Sequence, residues 1–381
     1  MWLFDKRKLQ NIEYVLLIII AAICIFGLLA ILMATADPSA SGEEIDFFTK
    51  LSRLNFALVK KQLMWILISF VLMACIGMLD YHIYSKIWYV VIGVCTALII
   101  YTAFFGEVHG GTRGWIKIGG AFEFQPTEVG KLGLILMLAK TLSKENELDS
   151  FKKLLPTFAI MVVFLGALIT QMDIGTSLVY VFIFLVLLFA GGMRWKHIAI
   201  LLGICIVGCV LLWFLMGEKQ QSRIINFFTG DDVTQLKYSK IAISSGGFFG
   251  KGILGQDSYS QMGYIYAINT DFIFAAICES LGFLGAFVLI ALYAVMEIRL
   301  WYLYKKAYDR QGSMIILGIM AMFMFHIFEN IGMVIGIMPI TGIPLPFISY
   351  GGSNMLTNMI GIGLVESVCM NRPIQPFTEK K

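Results

Sequence analysis

A carboxylate stands at the mouth of a long apolar segment, in the sequence Asn269-Thr270-Asp271-Phe272. Ionisable residues in segments that could span a membrane are costly, so each is a candidate functional group. A carboxylate such as that of Asp271 can act as a general base, which removes a proton from an attacking hydroxyl group. It can also be an N-cap, because Thr or Asp at a helix start accepts hydrogen bonds from free backbone amides. The residues alone leave both roles open for Asp271.

Two more polar clusters open apolar segments. Gln125 and Glu128 precede Lys131 in Gln-Pro-Thr-Glu-Val-Gly-Lys, where the proline suits the first turn of a helix. Glu128 and Lys131 are three residues apart, so they can form an ion pair on one helix face and let Lys131 enter the membrane. Asp173, in Gln-Met-Asp-Ile-Gly-Thr, is placed to cap the next helix. We expect these groups to converge with Asp271 on one outward-facing cavity.

Helix-breaking and polar residues separate the last two apolar segments, in Gly-Ile-Pro-Leu-Pro-Phe-Ile-Ser-Tyr-Gly-Gly-Ser at residues 342–353. We call this stretch the re-entrant segment. Irregular backbone at membrane depth is tolerated only where it is buried in protein or lines a wet cavity. Its candidate cavity-lining residues are Pro344, Pro346, Ser349, Tyr350, Gly351 and Gly352.

Two further motifs have ordinary structural explanations. His326 and Glu329 are one helical turn apart and could bind a metal, but a single pair with no third ligand indicates helix–helix hydrogen bonding instead. The stretch Ser-Gly-Gly-Phe-Phe-Gly-Lys-Gly at 245–252 is similar to a phosphate-binding loop. It lacks the Ser or Thr that must follow the lysine, so we reject that interpretation.

The composition is that of a membrane protein. Hydrophobic residues make up 59% of the chain and charged residues only 14%, whereas soluble proteins average roughly 45–50% apolar residues. The net charge of +4 is scattered among loops and therefore indicates no nucleic-acid partner. All seven cysteines lie in or beside apolar runs, so no disulfide framework is expected.

About ten apolar runs are long enough for spanning helices, which need about 20 residues. The lysines and arginines of alternate loops favour an orientation with both termini inside (N-in, C-in). The long polar stretch 217–270, between the seventh and eighth runs, then faces outward. We expect an all-α polytopic membrane protein with a single transmembrane domain, residues 1–381. The runs are residues 13–33, 62–79, 84–105, 126–142, 155–172, 175–192, 198–216, 271–297, 313–335 and 351–370.

Together these motifs resemble those of the SEDS family (shape, elongation, division and sporulation), the RodA/FtsW-type glycan polymerases of bacteria. The resemblance covers nearly the whole chain, and it includes the motifs at 111–117 and 245–252. It implies a peptidoglycan glycosyltransferase of the bacterial plasma membrane that polymerises lipid II, with Asp271 as the catalytic base. Asn269 and Ser280 depart from the family pattern.

The resemblance also implies roles for the other polar residues. Arg113 and Lys131, or a divalent cation, would stabilise the charge on the departing diphosphate. Trp115 would be functional as in the family, although an interfacial Trp is also a common membrane anchor. The remaining cavity residues that it implies are Gln125, Glu128, Asp173, Thr270, Glu279 and the six named residues of the re-entrant segment.

The partners implied are lipid II, membrane lipid and a class B penicillin-binding protein that cross-links the new strands. Two other functions remain open: a flippase or transporter of lipid-linked oligosaccharides, and a non-catalytic scaffold of the wall-synthesis complex. A flippase needs charged groups through the depth of the bilayer, whereas here they gather near the outer end. Family members that serve elongation, division and sporulation share these motifs, so the sequence does not separate those roles.

Overall fold

The structure of the protein, a computed structural model, is mainly helical. It describes residues 10–36, 54–109, 112–118, 122–144, 151–171, 173–215, 217–229, 234–253 and 258–372. Its helices, in chain order, are α1 (Tyr14–Ala34), α2 (Phe56–Met78), α3 (Tyr81–Lys86), α4 (Trp88–Phe105), α5 (Pro126–Lys144), α6 (Phe151–Thr170), α7 (Ile174–Ala190), α8 (Trp195–Leu215), α9 (Glu218–Thr229), α10 (Thr234–Gly246), α11 (Ile273–Lys306), α12 (Arg310–Ile335) and α13 (Gly352–Met370). Three strands between α4 and α5 are β1 (Glu107–His109), β2 (Thr112–Ile118) and β3 (Phe122–Phe124).

The ten predicted apolar runs correspond to all of these helices except α3, α9 and α10. Most ends agree within a few residues, but α2 begins at Phe56 rather than at 62, and α11 ends at Lys306 rather than at 297. Both extensions carry lysines, which a hydropathy window excludes. A helix end accommodates them, because a long basic side chain can reach the membrane surface. The predicted class, a helical polytopic membrane protein, is confirmed.

Within the described ranges, five helices are long and apolar enough to cross a membrane: α1, α2, α4, α11 and α12. Helix α13 packs mainly on α2, and α5 lies against α4 and α12. Asn354, Asn358 and Glu366 of α13 are all buried in this packing. A helix enclosed by others can carry such groups, because polar residues at membrane depth face the bundle interior. The N-in, C-in orientation stays a prediction.

A small antiparallel sheet, in the order β1-β2-β3, interrupts the helical fold. Val108 pairs with Arg113, and Lys117 pairs with Glu123. The expectation of an all-helical chain missed this sheet, because its strands are only three to seven residues long. The sheet ends directly before α5, so it holds the Arg113 and Trp115 motif beside the polar start of that helix.

The described part of the stretch 217–270 is not simply a loop, because α9 and α10 lie in it. Helix α10 packs on α11 and on the last turns of α12. The hydroxyl of Ser239 donates to the carbonyl of Val334 at 2.9 Å, and Leu236 lies beside Gly336. Helix α10 is therefore anchored to the end of α12 from which the chain enters the re-entrant segment.

Helix α11 is interrupted at Gly282, which has φ +66°. The interruption leaves backbone groups of α11 without partners inside the helix. The motif at residues 245–252, which is similar to a phosphate-binding loop, supplies those partners. The amide of Phe283 donates to the carbonyl of Gly247 at 2.9 Å, and the amide of Lys251 donates to the carbonyl of Glu279 at 2.9 Å. Because backbone groups in a membrane must be satisfied within the protein, this glycine-rich motif serves to complete α11.

Candidate functional site

Asp271 lies just before α11 and beside the re-entrant segment. The helix begins at Ile273 with Phe272 in the capping position, and Phe272 makes no side-chain capping hydrogen bond. The structure therefore does not place Asp271 at the N-cap. A methyl group built on Gly342 would lie 3.4 Å from Oδ2 of Asp271. The carboxylate therefore lies beside the re-entrant segment, and Asp271 remains partly exposed.

Asn330 joins the backbone at Asp271 to the re-entrant segment. Its side-chain amide donates to the carbonyl of Asp271 at 2.8 Å and to the carbonyl of Ile343 at 2.7 Å. Asn330 is completely buried in α12. One rigid side chain therefore fixes the spacing between the carboxylate-bearing residue and the segment that faces it.

Ser349 makes a second connection of the same kind. Its hydroxyl donates to the carbonyl of Thr270 at 2.6 Å and accepts from the amide of Leu345 at 2.8 Å. Ser349 is completely buried, so it is an internal strap rather than the cavity-lining group that we expected. Thr270 in turn donates to the carbonyl of Ala267 at 3.2 Å and closes the turn before Asp271.

Asn269, which departs from the family pattern, still bonds to the re-entrant segment through its backbone. The amide of Tyr350 donates to the backbone carbonyl of Asn269 at 2.9 Å. Any residue type at 269 can accept that hydrogen bond through its backbone. The departure at Asn269 therefore leaves the pairing between this turn and the re-entrant segment intact.

Both prolines of the re-entrant segment have their carbonyls bonded. His326 donates to the carbonyl of Pro344 at 3.3 Å, and the hydroxyl of Tyr293 donates to that of Pro346 at 2.6 Å. A proline has no backbone N–H, so these carbonyls are the only main-chain groups that each proline must satisfy. The two prolines hold the segment rigid; Pro344 is partly buried and Pro346 is buried.

The predicted ion pair between Glu128 and Lys131 is confirmed. Their charged atoms are 2.8 Å apart, and the side chains are 4% and 1% exposed. The Lys131 ammonium also lies 2.9 Å from Nε2 of His326. An ammonium can only donate, so Nε2 accepts and Nδ1 carries the hydrogen that His326 donates to Pro344. Lys131 therefore supports the re-entrant segment through His326, and its expected place on an open cavity wall is not what the structure shows.

Asp173 and Gln125 are in contact, and the predicted capping role of Asp173 is confirmed. Asp173 caps α7, with the amide of Thr176 at 3.0 Å and the Thr176 hydroxyl at 2.8 Å. The side chain of Gln125 donates to Asp173 at 3.2 Å, and its amide donates to the hydroxyl of Ser353 at 3.1 Å. These contacts tie the starts of α5, α7 and α13 together at the same end of the bundle.

Arg113 and Trp115 lie on β2. Arg113 is exposed, and its guanidinium donates to the carbonyl of Phe104 at 3.4 Å. Its backbone amide donates to the carbonyl of Gln171 at 3.3 Å, which places β2 beside the turn before α7. Trp115 is half-buried opposite Glu107 of β1. Of the two cations expected at a diphosphate, Arg113 is the accessible one.

Glu279 is completely buried and anchors the end of the stretch 217–270. Its carboxylate accepts from the amides of Tyr259 and Ser260 at 2.8 and 2.9 Å. It also accepts from the hydroxyl of Ser258 at 3.0 Å and from the ammonium of Lys251 at 3.1 Å. Because the side chain is completely buried and both carboxylate oxygens accept hydrogen bonds from the chain around residues 251–260, Glu279 is an anchor rather than the cavity group that we expected.

Within the described residues, no three His, Cys, Asp or Glu side chains come together as a metal site. The predicted alternative for His326 and Glu329, hydrogen bonding, is confirmed. Glu329 accepts from the hydroxyl of Thr341 at 3.0 Å, just ahead of the re-entrant segment. His326, Glu329 and Asn330 thus present successive polar groups of one helix to one irregular stretch of backbone.

Sequence reasoning missed Gln62. This residue is buried in α2, where its amide donates to the carbonyl of Ser349 at 3.3 Å and accepts from the amide of Gly351 at 3.1 Å. A glutamine at the start of an apolar run was the available signal, since polar residues in spanning helices bond to neighbouring elements. The helix α13 then begins at Gly352.

The fold and site define a polytopic membrane protein whose polar groups gather around a re-entrant segment at one end of a helical bundle. The chain belongs to the FtsW/RodA/SpoVE family of cell cycle proteins, because the family model matches residues 14–373. The predicted resemblance is therefore confirmed. Membership and the apolar helices together make it a multi-pass bacterial membrane protein.

Individual relatives are similar over most of their length. Peptidoglycan glycosyltransferase MrdB of Escherichia coli K12 is 31% identical, over 95% of this chain and 94% of the relative. Stage V sporulation protein E of Bacillus subtilis is 34% identical, over 82% of this chain and 87% of the relative. RodA of Thermus thermophilus has a crystal structure with TM-score 0.69 and 25% identity, which covers 96% of this chain and 98% of that one.

A second structural neighbour comes from a complex. It belongs to the structure described as "Structural coordination of polymerization and crosslinking by a peptidoglycan synthase complex". The TM-score is 0.75 at 25% identity, and the match covers 94% of this chain and 97% of that one.

Proposed function

We propose that this protein is a peptidoglycan glycosyltransferase that polymerises lipid II into glycan strands. Relatives that match nearly the whole chain carry that enzymatic name. The observation that carries the proposal is the position of Asp271, a partly exposed residue whose carboxylate lies beside Gly342. Asn330 and Ser349 hold the backbone around it in one geometry. A base positioned by rigid neighbours suits a reaction between two large, separately bound lipid substrates.

Asp271 serves as the general base in the proposed reaction. The oxygen of the C4 hydroxyl of the acceptor sugar attacks the anomeric carbon of the donor glycan. A new carbon–oxygen bond forms while the bond from that carbon to the diphosphate oxygen breaks. The hydroxyl proton passes to the carboxylate of Asp271, and the lipid diphosphate leaves with the bonding electron pair. A base of this kind contributes typically about 10²–10⁴-fold to the rate.

Arg113 is our candidate for the group that stabilises the leaving diphosphate. It is exposed on β2, and a guanidinium can bind phosphate oxygens through two hydrogen bonds at once. Lys131 acts indirectly, because its ammonium is bonded within the protein to Glu128 and His326. The described residues do not form a ligand set for a divalent cation, so we assign no step to one.

The proposed partner is a cross-linking enzyme, a class B penicillin-binding protein. The support is the structural neighbour from a complex described as coordinating polymerization and crosslinking. Cross-linking acts on the strands that polymerisation makes, so an enzyme of each kind in one complex can pass the product on directly. Membrane lipid is the other expected contact, since large apolar side chains on α1, α2 and α4 face outward.

The decisive experiment incubates the purified protein with labelled lipid II, with and without the partner, and separates products by length. We expect polymer from the parent and a loss of at least about 10²-fold in rate for Asp271→Asn. The matched control is Asp80→Asn, since Asp80 caps α3 and Asn caps equally well. A well-folded Asp271→Asn protein with the parental rate would refute the base, and transport of lipid II without polymer would favour the flippase.

A further inference from the structure

Three tyrosine rings form a cluster outside the site described above. The ring of Tyr238, on α10, lies 4.7 Å from that of Tyr264 at an interplanar angle of 19°. The ring of Tyr259 lies 6.2 Å from each of them. Two separate stretches of chain therefore contribute to one aromatic cluster. We call these three residues and the nearby Tyr266 the tyrosine platform.

The tyrosine platform is open on its outer side. Tyr264 is 47% exposed and Tyr266 is 72% exposed. Within the described residues, the four phenol hydroxyls make no hydrogen bond to protein, whereas the buried Tyr293 and Tyr180 both do. A tyrosine offers an apolar ring face and a polar tip. The platform thus presents ring faces and unused hydroxyl groups together, a combination suited to a ligand with both characters.

The platform lies near Asp271. Tyr266 precedes Asp271 by five residues, so their Cα atoms are at most about 18 Å apart. The side chain of Gln235 donates to the carbonyl of Tyr266 at 3.3 Å, which ties this stretch to α10. Helix α10 is itself anchored to the end of α12 through Ser239. These connections set the platform and the re-entrant segment at the same end of the bundle.

Positive charge accompanies the rings. Lys237 is exposed one residue before Tyr238, so its ammonium is the charge that can meet a ligand. The ammonium of Lys251 lies 5.2 Å from the centre of the Tyr259 ring, but it is paired with the buried carboxylate of Glu279. Sugar rings have apolar C–H faces and a rim of hydroxyl and amide groups. A ligand that combines such rings with carboxylates would therefore find a partner for each of its groups on this surface.

We propose that the tyrosine platform binds the sugar rings of the growing glycan strand, an N-acetylated polysaccharide with acidic peptide substituents. This inference rests on the proposed polymerase function and adds a second contact for its product. A strand held next to Asp271 would stay bound between successive additions. The platform would then set product length, because release competes with the next addition.

The first test measures product length. Tyr264→Ala should shorten the strands several-fold, while the rate of the first coupling changes less than about twofold. Tyr264→Phe keeps the ring and should retain most of the length. The control is Tyr302→Ala, because Tyr302 is 41% exposed and has basic groups over its ring, but lies near the far end of α11. Parental strand lengths for Tyr264→Ala would overturn the proposal.

The second test does not depend on polymerase activity. In the Asp271→Asn background, a fluorescent lipid-free glycan fragment of four disaccharides is titrated against the protein in nanodiscs. Loss of one stacked ring should weaken binding by about fivefold, and Tyr302→Ala should not change it. If Tyr264→Ala binds the fragment as tightly as the protein that keeps Tyr264, the proposal is wrong and the tyrosines are membrane anchors. Absence of polymer from the parent, with this binding intact, would instead count against the polymerase function alone.

Discussion

The side-chain amide of Asn330 donates to the backbone carbonyl of Asp271 at 2.8 Å. The same amide group also donates to the carbonyl of Ile343 in the re-entrant segment. One buried side chain therefore sets the distance between the proposed base and the re-entrant segment that faces it. Small displacements of a reacting group are costly, and about 1 Å can reduce a rate by about 10²-fold. Asn330 is therefore a positioning residue.

Replacement of Asn330 by leucine should impair both stability and catalysis. The buried carbonyl of Ile343 and the partly buried carbonyl of Asp271 lose their donor. An unsatisfied buried group costs about 1–3 kcal/mol. We expect a fall in kcat of at least about tenfold with little change in KM, since binding groups elsewhere remain. Polymer assays at several lipid II concentrations separate the two constants, and thermal unfolding measures stability.

Asn358→Leu is the matched control for this prediction. Asn358 is buried in α13 and donates to Asn354 at 2.9 Å, so its loss tests a helix hydrogen bond that does not involve Asp271. If both variants lose stability and activity in the same proportion, Asn330 has no positioning role.

Removal of one member of the Glu128–Lys131 pair should destabilise the protein. A stranded charge at a buried site costs about 3–5 kcal/mol, so Glu128→Gln and Lys131→Met should each lower the unfolding temperature. The double variant should recover stability but not activity, because Nε2 of His326 still lacks its donor. Single variants that unfold at the parental temperature would contradict the burial of this pair.

Glu279→Ala should release the chain around residues 258–260. The carboxylate accepts from two backbone amides there, and hydrogen bonds to charged groups contribute about 1.5–3 kcal/mol each. Limited proteolysis should cut this stretch faster in the variant. The control is Glu107→Ala, which removes an exposed ion pair with Lys117 that contributes at most about 1 kcal/mol. Equal rates of cleavage in the two variants would contradict the anchoring role of Glu279.

Gly282→Ala should be strongly destabilising. The residue has φ +66°, and an added Cβ would lie 2.4 Å from the amide nitrogen of Gly250. Both the backbone strain and the clash with main chain oppose any side chain here. Gly93→Ala is the control, because Gly93 lies within α4 with open space around it, and alanine favours a helix by about 1 kcal/mol. Thermal unfolding compares them, and similar midpoints would show that α11 tolerates a side chain at the interruption.

The orientation can be tested with single cysteines in a background without native cysteines. Ser244 is exposed on α10 and Tyr308 is 71% exposed between α11 and α12. A membrane-impermeant thiol reagent outside the cell should label Ser244→Cys and should leave Tyr308→Cys unlabelled until the membrane is opened. The reverse pattern would overturn the N-in orientation. Ser258 and Ser349 are too deeply buried to serve in this experiment.

Hydropathy and motif order by themselves determined the class of the protein and the positions of its long helices. A spanning helix must be about 20 residues of mostly apolar sequence, so a local stretch of chain is enough to predict it. Local chemistry also predicted the Glu128–Lys131 pair and the capping role of Asp173, because partners three residues apart on a helix or at its first turn meet in any context.

Only the tertiary structure decided which polar residues are open and which support others. Lys131, Glu279 and Ser349 were expected beside substrate but are bonded within the protein. Their partners are distant in sequence, and in several cases they are backbone carbonyls whose positions no local pattern encodes. Gln62 and Asn330 acquire their roles in the same way. A residue's exposure depends on which elements pack over it, and that packing is a property of the whole bundle.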